Sequence, residues 1–513
     1  MKLLCLFLGL SLTAAASGRP NFLLLVTDDQ RWDTVSVNDP KVALATPHMD
    51  RLAKEGVNFE NGFVTTPICA VSRACILSGR YSRNNGIHEF LIPMTDAVFA
   101  SSYPAQLKKA GYHIGQLGKY GVGATRAQIA SFDVFHADCN QGPPFHDYRG
   151  KKVHDSEWLT LETRDFLDNI PKDKPFCLQV NYKAPHASSV VAEEDKGKLA
   201  HHTFDPLSAQ VVEGFAKLPP SARKGFGHHV FLEEMGTEAD YQRYRRTYLE
   251  KIASADRSIG EIRKLLERYG YDQNTIIVFI SDHGTHYGEK KLGGKWTPYD
   301  QSLRVPFFLY DPRPNALKNV RLPQIALNID IAPTLLDLAG LEVPPAMDGR
   351  SLAPLVRGAK PAWREHFFYE HQTSPVGVAR PIARFMGVRN LAENYVRWTD
   401  EKPVVEEYYD LPNDSWEINN LINNPEKLGK IARLRGLFTE WEKQNPNTYA
   451  YHPYGPRPQT HARDIDWQRY RKAWPQAYEK IAAEVKRLGV SWDDALNNPE
   501  TREAIGKATG WYY

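Results

Sequence analysis

The chain has 513 residues, of which 42% are hydrophobic and 24% charged, and its formal net charge is +3. These proportions are typical of a folded soluble protein and exclude a largely disordered chain. Basic and acidic residues are mixed along the sequence, so no charge pattern indicates a nucleic-acid partner. The length allows one large α/β domain and a smaller one.

The first residues have the composition of a signal peptide. Met1 and Lys2 precede an apolar run from Leu3 to Leu12, and small residues continue to Gly18. This run is too short to cross a bilayer, and no other stretch has the ~18 apolar residues of a membrane helix. We therefore expect residues 1–18 to be removed and the mature protein to be exported, periplasmic or secreted, with no membrane span.

Four cysteines follow that segment: Cys69, Cys75, Cys139 and Cys177. They are too few to form a disulfide scaffold in a chain of this length. Cys139 and Cys177 either pair or remain thiols, and buried thiols are the favoured interpretation.

Four short apolar runs each end in polar, reactive residues, and they cover residues 22–26, 113–117, 176–180 and 276–280. Their length and lack of alternation are typical of strands buried on both faces. Between the last two, apolar residues recur at three- and four-residue spacing over 248–267, which predicts an amphipathic helix. Strands alternating with helices predict an α/β fold with a large, mostly parallel sheet flanked by helices.

The residues that follow these runs are Asp28, Asp29, Lys119, His186, Asp282 and His283. Taken singly they have ordinary explanations, since paired aspartates form turns or helix caps and lysines are usually solvated. In a parallel sheet, however, the carboxyl ends of the strands share one edge. The aspartates and His283 then form a ligand set for calcium or magnesium. Positive charge and proton transfer from the lysines and His186 suit a sulfate-like or phosphate-like substrate.

Residues 69–80 read Cys-Ala-Val-Ser-Arg-Ala-Cys-Ile-Leu-Ser-Gly-Arg. This segment resembles the sulfatase signature, in which Cys, any residue, Pro, Ser and Arg precede a Leu-Thr-Gly-Arg-like end. Further segments are similar to the family in order and spacing: 21–29, 46–53, 274–284, 295–306, 330–336, 347–352 and 408–421. The resemblance covers about residues 20–425 and identifies a formylglycine-dependent type I sulfatase of the alkaline phosphatase-like superfamily.

The resemblance implies a role for each matching residue. A maturation enzyme would oxidise Cys69 to formylglycine, whose hydrated aldehyde attacks sulfur and later expels sulfate, and Arg73 would steady it. The groups implied to bind sulfate or protonate the leaving oxygen are Lys119, His186 and Lys295. The implied ligands of one calcium ion, with magnesium as second choice, are Asp28, Asp29, Asp282 and His283. The expected substrate is a sulfated saccharide or polysaccharide.

Two positions depart from the family pattern. Val71 stands where the family usually has Pro and sometimes Ala, and Gly121 replaces a histidine expected to help release sulfate. His88 and His136 are candidate substitutes. Two other functions stay open: a formylglycine-dependent phosphodiesterase or phosphonate hydrolase, and a non-catalytic protein that binds sulfated glycans.

The organisation expected from the sequence has four parts. A signal peptide covers 1–18, a catalytic domain 19–380, and a small antiparallel α+β subdomain 381–450. The last part, 451–513, is an aromatic extension expected to be helical and to dock on the body more readily than to stack on sugars. The polar stretch 187–240, with His201-His202 and His228-His229, is expected to be a loop or insertion that shapes the substrate pocket, and His371 to reach that pocket.

Overall fold

The computed structural model describes residues 18–90, 92–372, 382–446, 475–492, 501, 504 and 505. The signal-peptide prediction for 1–18 therefore falls almost wholly outside the described residues. So does most of the 451–513 extension, within which residues 475–488 form a helix. Within the described ranges, no helix combines the length and apolar character needed to cross a bilayer.

The described strands are β1 (Asn21–Asp28), β2 (Val57–Phe63), β3 (His113–Lys119), β4 (Val134–Asp138), β5 (Phe145–Tyr148), β6 (Lys151–His154), β7 (Phe176–Pro185), β8 (Thr275–Ser281), β9 (His286–Tyr287), β10 (Gly293–Gly294), β11 (Phe307–Tyr310), β12 (Val320–Leu327), β13 (Phe367–His371), β14 (Phe385–Arg389), β15 (Glu393–Trp398) and β16 (Val405–Asp410).

The described helices are α1 (Pro47–Glu55), α2 (Cys69–Ser78), α3 (Ser82–Asn85), α4 (Asp96–Ala100), α5 (Tyr103–Lys109), α6 (Arg126–Ala130), α7 (Asp155–Asp168), α8 (Ala209–Lys217), α9 (Pro220–Lys224), α10 (Phe226–Met235), α11 (Glu238–Tyr269), α12 (Asp300–Leu303), α13 (Ile331–Leu338), α14 (Ala353–Val356), α15 (Leu428–Gln444) and α16 (Pro475–Leu488).

The large sheet has eight strands in the order β12-β2-β11-β8-β1-β7-β3-β4. Only β11 runs antiparallel to its neighbours. Every residue of β1, β7 and β8 is buried, which explains why these strands are continuously apolar. The predicted α/β class and mostly parallel sheet are confirmed.

Side chains of β1 alternate between two apolar cores. Phe22 and Leu24 pack on the face that also contacts α2 and α13, whereas Leu23 and Leu25 pack on the face covered by α7 and α11. The two helical layers therefore enclose the sheet, as expected from a parallel arrangement. The helix predicted at 248–267 is longer in the structure and spans Glu238–Tyr269.

The second sheet is antiparallel, with the order β13-β14-β15-β16. Helix α15 covers it with Ile431, Leu434 and Phe438. Its first strand, Phe367–His371, lies before residue 381, the predicted start of the small subdomain. An ion pair of 2.5 Å between Arg389 and Asp300 joins this sheet to the segment that follows β10.

Helices α8, α9 and α10 occupy the later part of the 187–240 stretch, so the loop alternative is wrong for that part. His228 and His229 have different partners: His228 Nδ1 contacts the carbonyl of Lys291 at 2.9 Å, and His229 pairs with Glu233 at 3.1 Å.

Candidate active site

Four neighbouring parallel strands, β8-β1-β7-β3, place reactive residues at their carboxyl ends. Asp28 ends β1 and Lys119 ends β3, while His186 follows β7 directly. Asp282 and His283 follow β8. Because the strands are parallel and adjacent, residues far apart in the chain meet at one edge of the sheet.

The acidic half of the site consists of Asp28, Asp29, Asp282 and His283. Their potential ligand atoms all lie within 4.8 Å of one another, and all four residues are buried. The main chain fixes this arrangement, because the amide of Asp29 donates to Asp282 Oδ1 at 3.1 Å and the amide of Asp282 donates to the carbonyl of Thr27 at 3.0 Å. Asp29 has a φ of 69°, a left-handed conformation that turns its carboxylate out of the strand direction.

Two buried atoms of this half, Asp28 Oδ1 and His283 Nε2, have no hydrogen-bond partner among the described residues. Buried polar atoms are nearly always satisfied, so orphaned ligand atoms facing one another fit a bound cation. Three carboxylates and one imidazole form a donor set suited to a divalent metal. The residues present therefore fit the metal implied by the sequence.

The charges of the acidic half respond to burial and to nearby cations. Burial raises the pKa of Asp29 to about 6, although Lys295 opposes this shift. Burial also acts on Asp28, but Lys119 and the other nearby cations outweigh it and hold the pKa of that carboxyl well below its ordinary value. Burial lowers the pKa of His283 to about 4, which keeps the imidazole neutral and available as a ligand.

Cys69 is the first residue of α2 and is buried, together with every other residue of that helix. The positive end of the helix dipole therefore lies at the candidate nucleophile. Val71 lies in the first turn, where the main-chain N–H has no intrahelical acceptor, so this position accepts valine as well as the proline of the sulfatase signature. Cys75, on the same helix, is a buried thiol whose pKa burial raises to about 12.

Arg73 connects the two sides of the site. Its Nε donates to Asp282 Oδ2 at 2.8 Å, and its Nη1 donates to the carbonyl of Lys119 at 2.5 Å and to Asn181 Oδ1 at 3.0 Å. Arg73 Nη2 is buried with no partner among the described residues. No role was predicted for Asn181 from the sequence, although it lies near the end of a predicted strand that leads to His186, a position typical of site residues.

The candidate anion-binding groups lie beside the acidic half. Lys119 pairs with Asp28, and Lys295 Nζ pairs with Asp29 Oδ1 at 2.7 Å. His186 Nε2 lies 3.9 Å from Asp29 Oδ2, and burial holds the pKa of this histidine well below its ordinary value. The predicted metal ligands, Lys119, Lys295 and His186 thus lie together at this edge, and Arg73 joins them through Asp282.

Gly121 has no room for the histidine that the sulfatase resemblance implies at this position. Its φ is +75°, and a Cβ at this position would lie 2.7 Å from Arg73 Cδ. His136, a suggested substitute, lies on the edge strand β4, is 57% exposed and pairs with Glu162 at 2.6 Å. It is therefore not part of the site. His371 is buried on β13 and stacks on Phe385, with 5.5 Å between ring centroids.

A cavity of about 650 Å³ adjoins the site at His186. Pro185 and Ala187, the two neighbours of His186, line it, and so does Tyr248, whose hydroxyl donates to the carbonyl of Asp29 at 2.5 Å. The rest of its wall mixes aromatic and charged side chains, among them Phe145, Lys196, Glu234, Arg243 and Tyr244. The cavity is large enough for a saccharide and opens beside the candidate catalytic groups.

A mostly parallel sheet with an acidic cluster and a cysteine-led helix at its carboxyl edge defines a hydrolase of the alkaline phosphatase-like fold. More specifically, the chain belongs to the sulfatase family: the Sulfatase family model matches residues 20–341. A second model, N-sulphoglucosamine sulphohydrolase, C-terminal, matches residues 288–444. The chain is a sulfuric ester hydrolase, as the sequence resemblance predicted.

Two curated relatives and two solved structures show the range of similar proteins. An N-acetylglucosamine-6-O-sulfatase of Bacteroides thetaiotaomicron is 27% identical, over 83% of this chain and 87% of the relative. An arylsulfatase of Clostridium perfringens is 27% identical, over 82% and 94%.

A solved protein in complex with its substrate D-glucosamine-2-N,6-O-disulfate has a TM-score of 0.74 and 26% identity, covering 84% of this chain and 99% of that one. A phosphonate monoester hydrolase from Silicibacter pomeroyi, at 22% identity and a TM-score of 0.65, covers 84% of this chain and 96% of that one. The second similarity concerns the fold alone.

Proposed function

We propose that this protein hydrolyses sulfate esters of a saccharide. It would use a formylglycine formed from Cys69 and, separately, one bound calcium ion. The observation that carries this proposal is the meeting of the acidic half and the cations Lys119 and Lys295 at one edge of the sheet, with Cys69 near enough to Arg73 and Lys295 to act on their pKa electrostatically. The formylglycine would supply the oxygen that attacks sulfur. The metal would supply positive charge to the sulfate oxygens.

The acidic half would hold the metal through Asp28, Asp29, Asp282 and His283. Its unsatisfied buried ligand atoms support a cation, and carboxylate oxygens favour calcium or magnesium over softer metals. Calcium is the first choice because the cluster offers adaptable side-chain ligands without an evident octahedral frame.

The remaining residues would bind and orient the sulfate. Lys119 and Lys295 would neutralise its oxygens, and the unpartnered Nη2 of Arg73 would donate a hydrogen bond near the nucleophile. Since both lysines pair with the acidic half, metal binding would leave their ammonium groups available to the substrate. His186, whose two neighbours in the sequence line the cavity, would act on the leaving oxygen.

The saccharide part of the proposal rests on the cavity and on the relatives. The cavity begins beside His186 and offers the mixture of aromatic and polar groups that sugar rings bind. Relatives named for sulfated glucosamines support the same substrate class. The apolar segment near the start of the sequence supports export to the periplasm or the medium. Export is compatible with a saccharide substrate and with a maturation enzyme that acts before export.

A phosphodiesterase or phosphonate hydrolase is the second candidate, because a phosphonate monoester hydrolase shares the fold. Comparing turnover of aryl sulfate and aryl phosphonate esters separates the two functions. The third function left open by the sequence, a non-catalytic protein that binds sulfated glycans, rested on Val71 and Gly121, and membership of the sulfatase family argues against it.

The test begins with the mass of the tryptic peptide 55–73 from protein expressed with a formylglycine-generating enzyme. Cys69 is the only cysteine in that peptide, so an aldehyde there is unambiguous. We expect the aldehyde and turnover of 4-nitrophenyl sulfate, abolished by Cys69→Ala and retained by Cys75→Ala, which removes the other thiol of α2. Calcium should be the ion found in the purified protein by mass spectrometry. A thiol at Cys69, also with the maturation enzyme of the source organism, would contradict the formylglycine mechanism.

A further inference from the structure

The side chain of Arg73 starts one helical turn away from the candidate nucleophile. Cys69 and Arg73 are four residues apart on α2, so they share one face of this helix, and helical side chains lean towards the N-terminus. A guanidinium is planar, so the contacts that hold Nε and Nη1 also set the direction of Nη2, which has no partner among the described residues.

The contacts of Nε and Nη1 differ in their relation to the metal ligands. Nε donates to Asp282 Oδ2 at 2.8 Å, and Asp282 belongs to the acidic half. Nη1 donates to the carbonyl of Lys119 and, at 3.0 Å, to Asn181 Oδ1, and neither of these acceptors belongs to the acidic half. A bound metal would draw on the charge of Asp282, so the Nη1 contacts are the ones that hold Arg73 independently of the metal.

The amide of Asn181 can present only its oxygen to Arg73, because a guanidinium only donates. Its Nδ2 donates to the carbonyl of Leu117 at 3.0 Å, and Gln179 Nε2 donates to its Oδ1 at 2.8 Å. The oxygen of the Gln179 amide accepts from the hydroxyl of Tyr103, the first residue of α5. A continuous chain of hydrogen bonds therefore leads from Tyr103 through Gln179 and Asn181 to Arg73.

The two amides of this chain lie beside an apolar core. Gln179 and Asn181 alternate along β7 with Leu178 and Val180, which pack in the core covered by α7 and α11, so the amides point to the opposite face, towards α2 and α5. Asn181 is fully buried, and Gln179 is 2% exposed. A satisfied buried amide adds little net stability compared with an apolar side chain of the same size. Stability alone therefore does not explain why these two positions are polar.

We propose that Asn181 is a positioning residue that holds the guanidinium of Arg73 so that Nη2 faces the nucleophile formed from Cys69, and that Gln179 and Tyr103 fix Asn181 in turn. In this arrangement Asn181 acts through Arg73 and not by contact with the substrate. The long side chain of arginine has many rotamers, so without this acceptor its guanidinium would adopt other directions and lose part of its hydrogen bond to the nucleophile. The inference deepens the proposed function and rests on it.

The first test compares two replacements of Asn181, with 4-nitrophenyl sulfate as substrate and with rates expressed per aldehyde found in peptide 55–73. Asn181→Leu has a similar size but no acceptor, so we expect kcat to fall about tenfold while KM changes less than about twofold. Asn181→Asp keeps the acceptor for Arg73 but sets a carboxylate oxygen against the carbonyl of Leu117. Its thermal stability should therefore fall, whereas kcat should stay within about threefold of wild type. If kcat follows stability in both variants, Asn181 is only structural and the inference is overturned.

The second test asks whether Asn181 acts through Arg73. Arg73→Lys keeps the positive charge and the tryptic cleavage after residue 73 but lacks the planar fork, so one contact no longer aims another. In the Arg73→Lys background, Asn181→Leu should lower kcat by less than about twofold, because the two changes interrupt the same path. A repeated tenfold loss there, about as large as in wild type, would overturn the inference.

Two further variants complete the comparison. Gln179→Leu removes the donor that fixes Asn181 Oδ1 and should lower kcat about threefold, which tests the chain even where Asn181→Leu does not fold. Asn58→Leu, the control, removes another buried amide, which donates to Asn38 Oδ1 at 2.9 Å, and should keep the wild-type kcat. Wild-type kcat in both Asn181→Leu and Gln179→Leu would overturn the inference and leave the sulfatase function intact. If aldehyde-bearing wild-type protein cleaves no sulfate ester, the proposed function itself fails, and the inference fails with it.

Discussion

The two halves of the candidate site are built in different ways. The acidic half comes from two adjacent parallel strands, β1 and β8, and its residues directly follow or end those strands. Main-chain hydrogen bonds hold it, and all four of its side chains are buried. The substrate half, defined here as Cys69, Arg73, Lys119, Gly121 and His186, draws on a helix, two further strand ends and loops.

This difference predicts where sequence variation would be tolerated. The acidic half needs four ligand atoms at one point, so a bound metal would dictate each residue type. In the substrate half, the space of a family histidine is closed by the stem of Arg73, and the ring of His186 contacts Gln141 from a neighbouring segment. The metal ligands would therefore stay constant while the contacts to substrate change.

The largest effect should come from neutralising one ligand of the acidic half. Asp282→Asn keeps the size of the side chain but removes a negative charge from the metal site and from the ion pair with Arg73. We expect kcat/KM to fall by roughly 10²–10³-fold and the bound metal to be lost, because both functions need the carboxylate. Metal content by mass spectrometry and turnover of 4-nitrophenyl sulfate provide the measurement.

Asp256→Asn is the matched control for this prediction. Asp256 is also a buried carboxylate, but it accepts the main-chain amides of His48 and Met49 at the start of α1, the latter at 2.8 Å. This variant should keep its metal and its turnover. Full metal content in folded Asp282→Asn would show that the acidic half is not the ligand set.

The next prediction concerns an ion pair close to the acidic half and its contribution to the stability of the protein at different pH values. Arg31, two residues after Asp29, pairs with Glu289 at 2.5 Å, and both side chains are buried. Burial acts to raise the pKa of Glu289, but Arg31 and His286 outweigh it and hold this pKa far below the ordinary 4.5. A depressed folded-state pKa means that the ionised group stabilises the protein above about pH 4.5 and loses this effect as the pH falls.

Glu289→Gln should therefore lower the free energy of unfolding by about 3 kcal/mol at pH 7, with a smaller difference at pH 4. Urea denaturation at the two pH values measures it. Glu55→Gln is the control, because Glu55 is 36% exposed in its pairs with Arg51 and Arg263 and should cost less than about 1 kcal/mol. An equal difference between wild type and Glu289→Gln at both pH values would rule out this electrostatic explanation.

The contrast between the halves also explains what the sequence could predict. Asp28, Asp29, Asp282 and His283 follow apolar strands directly, so a rule about parallel strand ends is enough to bring them together. The same rule placed Lys119 and His186. The eight-stranded order and the antiparallel strand β11 were not predicted, because short buried runs carry no information on their neighbours.

Residues whose role depends on loop contacts were missed. Gln141 lies in a polar stretch without periodicity, and only its 3.2 Å contact with His186 reveals its place. Asn181 was visible in the sequence as a strand-end residue, but its partner Arg73 is 108 positions away. The later part of the stretch before residue 240, expected to be a loop or insertion, forms helices, and its apolar residues Val211 and Leu218 are buried.

A smaller effect is expected at position 121 of the substrate half, where the side chain of Arg73 leaves no space for another side chain. Gly121→Ala combines a left-handed φ of +75° with a Cβ 2.7 Å from Arg73 Cδ. We expect a loss of about 2 kcal/mol in stability and reduced kcat, because Arg73 must shift away from Asp282. Gly270→Ala has a similar φ of +72° but nothing within 4 Å of the new Cβ. It should cost only about 1 kcal/mol and leave kcat unchanged.

The difference between these two alanine variants measures the contact with Arg73 alone. Thermal unfolding gives the stabilities, and turnover of 4-nitrophenyl sulfate gives kcat. Identical behaviour of the two variants would mean that the site has room for a side chain at position 121, and that the absence of the family histidine does not follow from Arg73.

The smallest effect concerns the cavity that the substrate half opens into. Arg243 lines it, is 63% exposed and, among the described residues, has only Asp240 as an ionic partner, at 2.6 Å. Arg243→Ala should raise KM about threefold for a sulfated oligosaccharide that the wild type cleaves, because one cationic contact with a distant part of the glycan is lost. KM for 4-nitrophenyl sulfate should not change, since a single aryl group does not extend to this wall. Lys264→Ala, on the same helix α11 but away from the cavity, controls for a general loss of surface charge. If both substrates respond equally to Arg243→Ala, the cavity is not a saccharide subsite, and recognition by this protein ends at the sulfate group.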